Sequence, residues 1–224
     1  MKKTYTKEKF RNREKWLDSR SIGGSSASAI LGCNPRLNKL ELYDRLVNGK
    51  RKEEKENEAI KYGNACESIL RKHFALSFKD KYKVQEHKEI VMYRDIKKPY
   101  LTATLDGELL DLITHEKGIL EIKTHDVRNK EDLEIWTNGL PQNYFVQLLH
   151  YLLVRKDMTF AVLYVELRFY DYSNGKKYDH SEMRHYFVKR SEVQNQIDYL
   201  EKKETEFYEE FVVNRKLPNY EIKL

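Results

Sequence analysis

Apolar residues keep a helical period through the first third of the chain and lose it after Phe78. Over residues 58–78, Ala59, Tyr62, Cys66, Ile69, Leu70 and Phe74 fall at helical spacing, which predicts one buried stripe on a long helix. Leu40, Tyr43, Leu46 and Val47 hold the same spacing and end at Gly49, a helix-stop residue. Upstream, Phe10, Trp16 and Leu17 suggest a short amphipathic helix before Gly23-Gly24. Ser25 is the expected N-cap of a small apolar helix through Ala29, Ile30 and Leu31, closed by Gly32 and Pro35. Residues 90–93, 101–105, 108–113 and 118–124 then read as short strands, with Asp106-Gly107 and Lys117-Gly118 as turns, a meander of three or four. Pro141 opens a helix carrying Phe145, Leu148, Leu149, Leu152 and Leu153. Residues 159–170 predict an apolar strand, Asn174-Gly175 a turn, 183–188 a second strand, and 191–213 a closing amphipathic helix. This order predicts an α/β fold with a central mixed β-sheet flanked by helices. With no repeat and no linker, one domain over 1–224 is expected: a core at 20–189, a basic helix or arm at 1–19, and a closing helix and tail at 190–224.

Composition narrows this picture. Hydrophobic residues make up 40% of the chain and charged residues 35%, enough apolar material for one core and too much for a disordered chain. No apolar run approaches the ~18 residues of a membrane span, and the Lys-rich start has no apolar stretch behind it. A soluble protein with no membrane partner, working in the cytoplasm, is therefore expected. Cys33 and Cys66 cannot build a disulfide framework or a four-cysteine metal site, which fits a reducing compartment. The net charge is +6, and the first twenty residues hold eight basic side chains against three acidic ones. Residues 190–224 carry six basic and eight acidic side chains and read as a solvated helix face; the run at 50–58 alternates in sign, as a surface loop entering a helix does.

Candidate chemistry lies in the strand region. Alternation puts Glu121 and Lys123 on one face of a strand, with Leu120 and Ile122 on the other. Asp106 ends a preceding strand that a hairpin could bring alongside. Two converging carboxylates form a hard oxygen site suited to Mg²⁺, and Lys123 could orient an attacking water or balance charge on a phosphorane. An exposed ion pair on an edge strand is the bland alternative. Glu67 on the long helix, after Gly63, could reach over the sheet to join them, or could simply face solvent. The Gly-Gly-Ser25 turn could bind an anion with Arg20 as a bidentate phosphate donor, or Ser25 could be a plain cap. His125 reads as a satisfied loop histidine. There is no Gly-x-Ser-x-Gly elbow and no phosphate-binding loop for ATP.

In order along the chain, these residues resemble the PD-(D/E)XK nuclease superfamily, and more narrowly the YqaJ-like viral recombinases related to phage lambda exonuclease. Arg20-Ser21-Ile22-Gly23-Gly24-Ser25 resembles the family's opening Arg-x-x-Gly-Gly-Ser segment, and Gly63-x-x-x-Glu67 its helix acid. Asp106-Gly107 resembles the metal aspartate, Glu121-Ile122-Lys123 the Glu-x-Lys, and Gln147-x-x-x-Tyr151 the glutamine motif. Leu105 stands where the superfamily name has proline.

The resemblance implies a restriction-endonuclease-like core. It implies that Glu67, Asp106, Glu121 and the Ile122 carbonyl hold one or two Mg²⁺ ions, with Mn²⁺ as a substitute, and that Lys123 activates water. It makes Gln147 an orienting residue and Arg20, Ser25 and Thr104 a pocket for a 5′-terminal phosphate. The expected activity is 5′→3′ exonucleolytic digestion of linear double-stranded DNA, leaving 3′ single strands for phage-type recombination. Rivals are an endonuclease of the same superfamily and a non-catalytic DNA-binding or scaffold protein on the same fold. Implied partners are double-stranded DNA ends, further copies of the chain in a ring trimer, and a single-strand annealing protein.

Overall fold

A computed structural model describes residues 3–50, 57–170, 178 and 180–218. The expected Asn174-Gly175 turn and most of the 50–58 charge run lie outside the described residues. The strands divide between two sheets, which the expected single meander does not anticipate. The smaller sheet begins with strand β1 (Tyr5–Phe10), where the sequence suggested only a helix or arm. Its backbone pairs antiparallel with β3 (Ile90–Asp95), which also pairs with β4 (Thr102–Thr104). Tyr5 supplies the missed signal: its ring meets Tyr93 edge-on at 5.3 Å, a cross-sheet aromatic pair that no helical period shows.

The larger sheet has the order β2 (Tyr82–Gln85), β5 (Gly107–Asp111), β6 (Lys117–Val127), β7 (Phe160–Phe169), β8 (Ser181–Lys189). Only β6 and β7 run parallel, which makes the sheet mixed, as expected. Lys117-Gly118 starts β6 instead of forming a turn, and the turn falls at Leu112–Glu116. The β6–β7 crossover contains α5 (Lys130–Thr137), which the sequence reading missed, and α6 (Gln142–Val154), which it placed.

The two faces of β6 enter different apolar clusters. Ile119 packs with Ala161, Leu163, Val165 and the α6 side chains Leu148, Leu149 and Leu152. Leu120 and Ile122 pack with Val162, Tyr164 and with Leu70 and Phe74 of α4 (Glu58–Ser77). Of the predicted α4 stripe, Ile69 is 62% exposed, so the buried face is narrower than the spacing suggests. α1 (Arg13–Ser19), α2 (Gly24–Ile30) and α3 (Lys39–Val47) lie ahead of α4 in the chain, and α2 makes its main helix contact with α6. α7 (Gln194–Phe207) packs on α6 and runs into a π-helical turn at Tyr208–Val213. Its face is not uniformly solvated, because Glu204 is fully buried.

Candidate active site

Strand β5 pairs with β6 only as far as Gly107 opposite Leu120, whereas β6 continues alongside β7 to Val127. From Glu121 onward one backbone edge of β6 is therefore free of β5. Asp106, in the link from β4 to β5, meets that edge: its Oδ2 accepts the Ile122 N–H at 2.7 Å. The carboxylate does what the next residue of β5 would have done, and the sheet opens into a cleft at that point.

Glu121 and Lys123 share the α6 face of β6. Glu121 is only 2% exposed, and its Oε1 accepts from Lys123 Nζ and from Gln147 Nε2 at 2.6 Å. Gln147 also donates to the Tyr151 hydroxyl at 2.7 Å. This pair, with Glu121 buried and Lys123 partly exposed, lies on a central strand, which removes the edge-strand alternative. α6 can present Gln147 here because α2 passes close by at Gly24. A Cβ on Gly24 would stand 2.7 Å from Gln147 Cγ and 2.8 Å from Tyr151 Cε1.

Glu67 approaches from the other face of the sheet. One turn earlier, a Cβ on Gly63 would come within 3.3 Å of Thr124 Oγ1, so α4 lies tight against β6. Glu67 itself is paired with Arg71. Burial and the Asp106 charge raise its pKa, against the pull of Arg71 and Lys123. Glu121 is pushed up to about 8 by burial first and then by Asp106, with Lys123 opposing. Burial alone would lower the Lys123 pKa, but Glu121 and Asp106 outweigh it and the ammonium is held well above its ordinary value.

The proposed phosphate residues form a second group on the same cleft. Trp16 joins two of them: its Nε1 donates to Thr104 Oγ1 at 3.0 Å, and the Arg20 guanidinium sits 4.7 Å above its ring. Sequence reasoning used Trp16 only as an apolar helix residue; its spacing four ahead of Arg20 was the available signal. Ser25 is not the N-cap. That place belongs to Gly23, and Ser25 stands exposed in the first turn of α2. His125 is on β6 and not in a loop, and its buried Nε2 has no hydrogen-bond partner.

Arg20, Ser25, Glu67, Thr104, Asp106, Glu121, Ile122, Lys123 and Gln147 all line one cleft of about 2260 Å³. Arg13, Arg36, Arg45 and Arg128 line it as well, so a carboxylate floor is set among arginines. Among the described residues, no three His, Cys, Asp or Glu side chains are yet grouped to hold a metal ion. The donors nonetheless suit a hard divalent cation. Glu121 Oε2 is buried without a hydrogen-bond partner, and burial and then the Asp106 charge raise the pKa of both Glu67 and Glu121, so added positive charge among these carboxylates would be welcome. This chemistry is carboxylate and carbonyl oxygen, as Mg²⁺ prefers.

Comparison with known proteins gives a consistent picture. The sequence profile of the YqaJ-like viral recombinase domain matches residues 13–159. Protein YqaJ of Bacillus subtilis (strain 168) is 33% identical over 143 residues, covering 63% of this chain and 42% of that protein. The chain thus spans less than half the length of this relative. Among solved structures, LHK-Exo, an alkaline exonuclease from Laribacter hongkongensis, superposes with a TM-score of 0.52 at 16% identity, covering 92% of this chain and all of that one. Its complex with dAMP gives a TM-score of 0.54. A phage related exonuclease from Haemophilus somnus 129PT gives 0.53 at 13% identity, covering 91% of this chain and 100% of that one. At such identities the likeness is one of fold, and the fold is the restriction-endonuclease-like one.

Proposed function

From the premise that the chain belongs to the YqaJ-like viral recombinase family, we propose that it is a metal-dependent exonuclease acting on linear double-stranded DNA. The observation that carries the reading is the Glu121–Lys123 pair, placed where β5 ends and Asp106 returns onto the Ile122 N–H. Glu67, Asp106, Glu121 and the Ile122 carbonyl would hold Mg²⁺, or Mn²⁺ in its place, as one or two ions. When bound, the metal supplies positive charge to the scissile phosphate and acidifies a water.

The rest of the chemistry belongs to the chain. Lys123, kept protonated by its two carboxylate neighbours, orients the attacking water and donates to a phosphate oxygen as charge builds there. Gln147, bonded to Glu121 and Tyr151, fixes the carboxylate and offers its amide to the same region. Arg20, Thr104 and Ser25 receive a 5′-terminal phosphate, with Trp16 positioning the first two. A phosphate held there directs the strand into the site from its 5′ end, which gives 5′→3′ digestion and 3′ overhangs for recombination. Assembly as a ring trimer, work beside a single-strand annealing protein and action in the cytoplasm of a bacterial host complete the reading.

Incubation with Mg²⁺ and three substrates tests it. Linear 5′-phosphorylated duplex should be consumed, covalently closed circles should survive, and EDTA should stop all loss. Cutting of circles would identify an endonuclease instead; survival of both DNAs with retained binding would identify a non-catalytic DNA-binding protein.

A further inference from the structure

The proposed metal ligand Glu67 is already engaged by a cation of the chain itself. Arg71, one turn further along α4, donates from Nη2 to Glu67 Oε1 and from Nη1 to Glu86 Oε2 at 3.1 Å. Its side chain is 13% exposed, and its Nε is buried without a hydrogen-bond partner. Glu86, directly after β2, is 56% exposed and shares the guanidinium with Glu67. Glu67 is therefore paired with an arginine, as Glu121 is paired with Lys123.

We propose that Arg71 competes with the divalent cation for Glu67, so that the Glu67–Arg71–Glu86 relay sets how tightly the metal is held. The inference rests on the metal reading above. A guanidinium and a divalent ion against one carboxylate repel each other, and a charge a few ångströms from a site shifts its equilibria by an order of magnitude or more. Engagement of Glu67 by metal costs one charge-assisted hydrogen bond to Arg71. Glu86 lowers that cost, because the guanidinium released from Glu67 keeps a partner just after β2. The two neighbours of Arg71 therefore pull in opposite directions on metal affinity.

Calorimetric titration of Mn²⁺ into the full chain, without DNA, reads this directly. Arg71→Met removes the competitor and its repulsion, and should bind Mn²⁺ about tenfold more tightly than wild type. Glu86→Gln leaves the guanidinium wholly to Glu67, and should bind about threefold more weakly. Loosening of α4 by either substitution would weaken binding in both variants, so that result, or unchanged affinity in Arg71→Met, overturns the proposal. If Arg71→Met does not fold, Glu86→Gln decides, since its side chain is exposed; equal or tighter binding there overturns it. If wild type takes up no Mn²⁺ at all, the metal reading itself fails and this inference falls with it.

Discussion

Lys123 owes its state to company rather than exposure. Burial pulls its pKa down, yet Glu121 and Asp106 outweigh that pull, which makes the ammonium a fixed positive charge beside the proposed scissile bond. Lys123→Ala should therefore lower the turnover of linear duplex by about 10²–10³-fold, the usual scale for a lost donor aimed at developing charge. Near wild-type turnover in the purified variant would remove Lys123 from the machinery. The alternation of one strand was enough to put Glu121 and Lys123 together, because two-residue periodicity is local. The partners of Thr104 and Glu67 were not legible in the same way. Trp16 reaches Thr104 from 88 positions away, and Arg71 is visible as an i,i+4 neighbour of Glu67 but its second bond to Glu86 depends on how β2 docks.

Among the elements, α7 is tied to α6 and β4 by a buried charge. His150 Nδ1 meets Glu204 Oε1 at 2.7 Å, and its Nε2 donates to the Thr102 carbonyl at 2.9 Å. Both side chains of the pair are fully buried. Burial pulls the His150 pKa down, but Glu204 and the Thr102 carbonyl outweigh burial and the opposing charge of Arg20, so the net shift is upward. A raised folded-state value means stabilisation that is complete below the unfolded pKa of about 6.5 and is lost as pH rises through the folded value. Melting temperature should thus fall in wild type as pH rises above about 6.5. Glu204→Gln should flatten that dependence and cost about 3–5 kcal/mol at pH 6, the scale for breaking a buried pair. Parallel melting curves against pH in the two proteins would assign the dependence to other groups. The sequence placed α1, α2, α3, α4, α6 and α7, since helical periods are local, but missed α5. It treated Glu204 as solvated because nothing in the 191–213 pattern distinguishes a buried acid from its exposed neighbours.

At the scale of the whole molecule, the meaning of the basic N-terminus changes. Lys9 and Arg11 pair with Glu89 at 3.5 and 3.1 Å beside the smaller sheet, and Lys7 lies over the Tyr93 ring, so part of that charge has partners there and away from the cleft. Removal of the first residues would take β1 with it; point substitutions are the sound test. Arg13, Arg36 and Arg128 are exposed and line the cleft. In EDTA, each changed to Ala should reduce the salt slope of duplex binding by about 0.9, while Lys9→Ala should leave it unchanged. Equal effects from Lys9 and the cleft arginines would show a diffuse surface rather than a track. Fold class was legible from the order of helices and strands, and the candidate residues named in the sequence come together in one cleft. The division into two sheets was not, because it depends on β1 pairing with β3 across 80-odd residues of chain.

Asp106 stands in the link that carries the backbone from the smaller sheet to the larger, and it touches Ile122 only when both are in place. Glu67 and Gln147 reach the same point from helices on opposite faces. The residues of the site are therefore drawn from the link between the sheets, from one central strand and from two helices. The activity proposed for this protein thus depends on both sheets and two helices being docked at once, rather than on any one of them.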